Sequence, residues 1–305
     1  MTILAQTPAV EEPLPVARKA HPGRWLAAVV LALAVALLAR SLVTNPNMQW
    51  GVVAHYTFNS IILQGLLVTI ELSVICQAFA MIIGVLVAAL VQSANPILRG
   101  ISAVYVWFFR ATPLLVQLIF WYNLALLFPH LSLGIPFTGM SESWPMNALI
   151  SGYTAAVLGL SLNDGAYMAE IVRGGLLAVP PGQVEAAQSI GMRRLKILTR
   201  VTLPQAVKTM IPPTGNQFIN LVKSTSLVSV IGGGELLTNA QNIYSQNFKV
   251  IPLLMVAAIW YLVLMAILST AQYYLERWVA KDQPAAHRPS LRTRLATMIR
   301  QKERA

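Results

Sequence analysis

The side chains best placed to do chemistry fall in two groups. Asn216, Asn220 and Lys223 recur at i, i+4 and i+7 in an otherwise apolar run, which puts them on one face of a helix. Such a face lines a water-filled path for a polar solute, or it hydrogen-bonds to a neighbouring helix, in which case Glu71 is the acidic partner available to Lys223 inside an apolar run. Glu170 and Arg173, three residues apart at the boundary of another run, either pair with each other or reach a partner. The second group is the stretch Val184 to Ala206, VEAAQSIGMRRLKILTRVTLPQA, a concentration of charge in a chain whose charged content is only 11%.

No group here suits catalysis. There is no glycine-rich phosphate loop, no nucleophile elbow and no His/Glu pair at helical spacing. His21, His55, His130 and His287 are scattered, and the single Cys76 excludes both an internal disulfide and a cysteine metal cluster. The chain is therefore expected to be no enzyme and to bind no cofactor or metal, so any energy it uses must be supplied by a partner.

The elements that position these residues follow from composition. At 56% hydrophobic over 305 residues, the chain carries apolar runs that a single globular core has no use for, and this identifies an all-α integral membrane protein. A helix needs about 20 residues to cross an apolar layer of about 30 Å. Six runs qualify: Trp25 to Val43, Leu66 to Val91, Ala111 to Phe128, Asn147 to about Glu170, Met210 to Ile231, and Ile251 to about Leu275. The fourth has a short apolar part, so its polar end is expected to leave the membrane and open a cytoplasmic loop from Asp164 to Lys208. An arginine at mid-span costs roughly 2.5–3.5 kcal/mol. Pro96 to Arg110 is accordingly read as an interfacial helix, with Pro113 either in the first turn of the crossing that follows or at a kink in one longer helix. The stretch from Pro129 to Pro145 reads as a loop. Pro212 and Pro213 weaken the fifth run unless neighbours satisfy the freed carbonyls.

Six crossings put both termini on one side. Nineteen Lys and Arg fall on that side and two, Arg40 and Lys249, on the other, so both termini are expected in the cytoplasm. Topology and anionic lipid account for the net charge of +11, and no nucleic acid is needed. Trp25 to Val43 is read as an uncleaved helix in preference to a signal peptide, because the basic residues before it sit deep in the chain and no clear small-residue cleavage site follows.

The second group has a recognisable spacing. Glu185-Ala186-Ala187, three residues, Gly191, nine residues, then Val201-x-Leu203-Pro204 resembles the EAA loop of the permease subunits of ABC importers, with Val201 where isoleucine is usual. Flanking segments resemble the polar amino acid subfamily: GAYMAEIVRGGLLAVPPGQVEAA from Gly165, FFRATPLLVQL from Phe108, GLLVTIELSV near the start, and NLVKSTSLVSVIG from Asn220. The likeness covers about Asn59 to Trp278, departing at Ala111 and Leu176.

The resemblance implies a five-helix core of the type I ABC importer permease fold, residues 59–278, preceded by an added helix at 25–43, a tail at 1–24 and a basic tail at 279–305. It implies a coupling loop at about 174–206, in which Val184 to Ile190 and Met192 to Val201 are short helices reversed at Gly191 and ended by Leu203-Pro204. In the family such a loop docks on an ATP-hydrolysing subunit. Glu185, Arg193 and Arg194 would make charge pairs there, Leu195 would add apolar contact, and Ala186 and Ala187 would permit close approach. The same resemblance implies an ATPase subunit using ATP and Mg, a second permease subunit, a periplasmic substrate-binding protein, a polar amino acid substrate, and the bacterial inner membrane. An ion-coupled transporter or channel built on Lys223 and Glu71 is the alternative from another class, and a membrane-bound scaffold is a third.

Overall fold

Apolar runs become helices because each backbone N–H and C=O must find a partner within its own segment when no water is at hand. The computed structural model describes residues 22–134 and 141–280, in two units divided after Gln49. The proposed tails, apart from their inner ends at 22–24 and 279–280, lie outside the described residues.

The first unit is α1 (Pro22–Thr44) with a short 3-10 turn. Every side chain from Trp25 to Thr44 is exposed and, apart from Arg40, Ser41 and Thr44 at the C-terminal end, apolar, which suits the helix to lipid. The second unit begins with α2 (Trp50–Thr57) and α3 (Ser60–Val91). α3 starts where the Asn59 side chain accepts from Ile61 N at 2.9 Å. At 32 residues it reaches about 48 Å, longer than its apolar run required. Asn95 caps the next helix, α4 (Pro96–Ala111), in the same way.

Thr112 precedes a proline and is extended (φ −93, ψ 140), so α4 ends there and α5 (Leu114–Tyr122) leaves at a bend of 103°. Pro113 is thus the residue before α5, outside its first turn and outside any continuous kinked helix. The expected crossing helix from Ala111 to Phe128 is also broken at Asn123, which separates α5 from α6 (Leu124–Leu127). Leu114 to Leu127 reaches only about 21 Å, short of an apolar layer of about 30 Å by itself. The expected loop beyond it contains an antiparallel hairpin, β1 (His130–Gly134) paired with β2 (Ser141–Pro145), with His130 opposite Pro145 and Ser132 opposite Ser143.

After α7 (Met146–Leu149), α8 runs unbroken from Gly152 to Leu177, opened by a capping box of Ser151 and Thr154. Asp164 is therefore mid-helix, and the loop expected to begin there begins after Leu177. Next come α9 (Pro181–Ser189), α10 (Arg194–Ile197), a π-helical turn at Leu198–Thr202 and α11 (Leu203–Ser224). The last part of the expected fifth run, Thr225–Ile231, is 3-10 helix. Glu235 caps α12 (Leu236–Asn247), and α13 (Val250–Ala280) follows.

α1, α3 and α13 are long and apolar enough to cross a membrane, and the α4–α5 pair joins them if counted as one span. α8 and α11 carry the polar groups and are held between other helices. One apolar cluster joins Leu72 and Cys76 of α3 to Leu118, Leu160, Leu221 and Val228, and another joins Ile62 and Leu66 of α3 to Leu236 and Leu253. α3 therefore supplies both cores. α3 and α8 run parallel, since Cys76 lies against Val157 and Gly84 against Met168. α11 returns antiparallel to α8, with Gln217 beside Asp164 and Met210 beside Gly175. Gln272 of α13 donates Nε2 to the Pro212 carbonyl at 2.9 Å and so ties α13 to α11.

Close approach of α3 and α8 depends on Gly84, where a Cβ would meet Met168 Cβ at 2.5 Å. Gly84→Leu is expected to lower stability by about 1–3 kcal/mol through overpacking. Gly100→Ala, with nothing within 4 Å, is expected to be neutral or stabilising. Thermal unfolding in detergent checks both; a Gly84→Leu chain as stable as the native one would contradict the packing.

Candidate functional site

Pro113 has no N–H, so the Phe109 carbonyl four residues earlier has no helical donor. Two side-chain amides take its place. Asn163 of α8 donates Nδ2 to Phe109 O at 2.8 Å, and Gln117 of α5 donates Nε2 to it at 3.2 Å. Asn163 Nδ2 also reaches Gln117 Oε1 at 3.2 Å. Tyr105 adds a bond from its hydroxyl to Leu162 O at 2.6 Å. The elbow between α4 and α5 is thus fastened to the middle of α8.

Next to Asn163 stands Asp164, 3% exposed. Its Oδ1 accepts from Gln217 Nε2 of α11 at 2.5 Å, while its Oδ2 is buried and has no hydrogen-bond partner among the described residues. Both residues line a recess of about 310 Å³ with Asn163, Tyr167, Asn220 and Ser224, closed on its apolar side by leucines. A carboxylate there is costly unless its charge is met. Among the described residues, no three His, Cys, Asp or Glu side chains gather as metal ligands would.

The residues singled out from the sequence are placed unevenly. Asn220 lines the recess, but Asn216 and Lys223 are exposed and do not. The α11 face that lines it is Gln217, Asn220, Leu221 and Ser224, one residue round from the expected stripe. Lys223 and Glu71 do not pair: the Glu71 carboxylate accepts from the Tyr153 hydroxyl at 3.0 Å, and among the described residues Lys223 makes no ion pair. Glu170 and Arg173 do pair, through Nη2 to Oε2 at 2.6 Å and Nε to Oε1 at 3.2 Å, and Arg110 approaches the same carboxylate at 3.8 Å. Asp164 and Gln217 were missed because the short apolar part of the fourth run placed Asp164 in a loop. The signal available was an Asn-Asp pair in the middle of an uninterrupted helical pattern.

The charged stretch folds as a helical hairpin. Gly191 reverses it at φ +77, a left-handed conformation that a side chain would strain, and its N–H donates to Gln188 O at 2.9 Å. The second helix starts at Arg194, two residues later than expected. Pro204 does not stop it. Pro204 has no N–H to offer Arg200 O, and the chain widens here into a π-turn in which Leu203 N donates to Leu198 O before α11 continues. Glu185, Ala186, Arg193, Arg194 and Leu195 are exposed, with Leu195 at 71%. Ala187 is buried in the hairpin and cannot face a partner, whereas Ile190 is 78% exposed beside Gly191. Leu203 and Pro204 are exposed at the start of α11.

Comparison with known proteins gives the context. Residues 80–281 match the family model described as binding-protein-dependent transport system inner membrane component. The arginine transport system permease protein ArgU of Corynebacterium glutamicum is 39% identical over 273 residues, 88% of this chain and 85% of that one. The L-cystine transport system permease protein TcyB of Bacillus subtilis is 38% identical, over 75% of this chain and 90% of its own length. Among solved structures, an amino acid ABC transporter crystallised with histidines superposes with a TM-score of 0.62 at 32% identity, covering 73% of this chain and 96% of that one.

If Gln217 is what makes burial of Asp164 tolerable, Gln217→Leu is expected to lower stability by about 1–3 kcal/mol by stranding the carboxylate. Asp164→Leu added to it is expected to recover most of the loss. A double-mutant cycle on unfolding in detergent reads this, and additive losses would separate the two side chains.

Proposed function

The chain belongs to the family of binding-protein-dependent transport system inner membrane components, and from that premise we propose that it is the conducting and coupling subunit of an ATP-driven importer of polar amino acids. Its place is the bacterial inner membrane, crossed several times. The reading has six crossings, with α8 and α11 as the polar inner pair, and both termini in the cytoplasm. The parallel run of α3 and α8 and the antiparallel return of α11 support it, because second and fourth crossings share a direction and the fifth opposes them. The single observation that carries the path is the Asp164 recess, a polar pocket between those two helices.

In this reading a periplasmic binding protein delivers the amino acid to the outer loops, and the substrate passes the recess between α8 and α11. Asp164 Oδ2 takes the ammonium or a cationic side chain, and Asn163, Gln217 and Asn220 offer hydrogen bonds along the way. The hairpin Pro181 to Thr202 docks on a separate ATPase, which binds the ATP and Mg, so this chain is itself no enzyme. Its exposed Glu185, Arg193 and Arg194 supply charge pairs, and Ile190 and Leu195 supply the apolar contact. α8 enters the hairpin and α11 leaves it, so a tilt of the hairpin moves both walls of the recess. A second permease subunit, identical or homologous, completes the path. An ion-coupled transporter loses its titrating pair, since Glu71 and Lys223 do not meet.

Uptake by proteoliposomes with and without the ATPase and the binding protein is the test. Uptake is expected to require both, and to be lost in Glu185→Lys and Gly191→Pro. Asp164→Asn is expected to lower uptake of a cationic amino acid about tenfold or more, as a charge-assisted bond of about 1.5–3 kcal/mol is lost. Undiminished uptake without the ATPase, or in both hairpin variants, would rule the importer out.

A further inference from the structure

One side chain belongs to two recesses. Tyr167 of α8, half-buried, lines the polar recess with Asp164 and Asn220, and it also lines a larger one of about 550 Å³. The larger recess lies between α4, the end of α3 and α8, with Trp107, Arg110, Val91 and Glu170 in its wall. In the orientation proposed above, it is at the cytoplasmic end of the bundle. Tyr167 is the residue that the recess lined by Asp164 and the recess lined by Arg110 and Glu170 have in common.

That ring is held from one side by charge. The Arg110 guanidinium lies 5.3 Å from the ring centroid, within cation–π range. Arg110 is in turn drawn to Glu170 Oε2 at 3.8 Å, one helical turn beyond Tyr167, and Glu170 is held in a two-pronged contact by Arg173. Arg110 is the last charged residue before the elbow, which Asn163 and Gln117 fasten to α8. A shift of the lower part of α8 against α4 would slide the ring from under the guanidinium, because the two partners sit on different helices.

We propose that Tyr167 is an inner gate between the two recesses and that Arg110, placed by Glu170 and Arg173, is the residue that positions it. Closed, the ring separates the substrate pocket from the cytoplasmic recess. Movement of α8, passed up from the hairpin, parts ring and guanidinium and lets an amino acid through. The inference rests on the proposed importer function and adds a specific place where passage is controlled.

Leak distinguishes a gate from a packing residue. Proteoliposomes holding the complete transporter are loaded with radiolabelled arginine, and efflux is followed without ATP. Tyr167→Ala is expected to raise efflux several-fold over the native complex, Tyr167→Phe to leave it unchanged because the ring and not the hydroxyl is needed, and Arg110→Ala to give a smaller rise that Arg110→Lys partly reverses. Tyr167→Leu, which keeps most of the volume, covers the case in which alanine destabilises the fold, and is also expected to leak. Efflux unchanged in Tyr167→Leu and Arg110→Ala, in complexes that unfold at the native temperature, overturns the gate. ATP-dependent uptake by the native complex is measured in the same vesicles, so its presence beside an unchanged leak refutes the gate alone, and its absence refutes the importer reading.

Discussion

A carboxylate cannot be buried in a helix bundle unless another element answers it, and Asp164 sets that condition for the middle of this protein. Its one satisfied oxygen fixes α11 against α8 through Gln217. Its neighbour Asn163 uses the same stretch of α8 to satisfy the carbonyl that Pro113 strands, which fixes the elbow. Two backbone or electrostatic deficits, each costly alone, are thus met within two consecutive residues. The elements gathered around those deficits, α8, α11 and the start of α5, also line the recess.

The same arrangement suits the bundle to the proposed transmission of movement. α8 is continuous through Asp164, Tyr167 and Glu170 to Leu177, and the hairpin begins only a few residues beyond. On the return, the π-turn carries the chain from α10 into α11 without a loop, so the hairpin is joined to both walls of the recess by helix or by a very short link. Stiff connections of this kind pass on displacement where flexible tethers absorb it. The reversal at Gly191 lies at the hairpin tip, away from the links to α8 and α11.

Reading from sequence reached the apolar helices because length and uniform hydrophobicity suffice to specify them: α1, α3 and α13 contain the runs that predicted them. It also separated α4 from the crossing that follows, since Arg110 and a proline mark the boundary. The break at Asn123 was not legible, because nothing local forbids Ala111 to Phe128 from being one helix. Asp164 was lost for the opposite reason. A polar residue reads as loop when only its own stretch is weighed, and the partner that makes its burial tolerable lies 53 positions away. The α11 stripe of Asn216, Asn220 and Lys223 is exposed, and only Asn220 of the three also lines the recess, because packing against α8 decides which polar side chains turn inward.

Family membership makes the chain an inner membrane component of a binding-protein-dependent system, and the proposal for such a component is that the hairpin and the walls of the Asp164 recess move together. The most direct measurement is a distance between spin labels at Gln188→Cys on the hairpin and Ala94→Cys on the turn between α3 and α4. Both sites are exposed and the native Cys76 is fully buried. In the reconstituted complex, the distance distribution is predicted to shift when ATP replaces the nucleotide-free state. An unchanged distribution in a complex that still imports substrate at the expense of ATP would contradict the account.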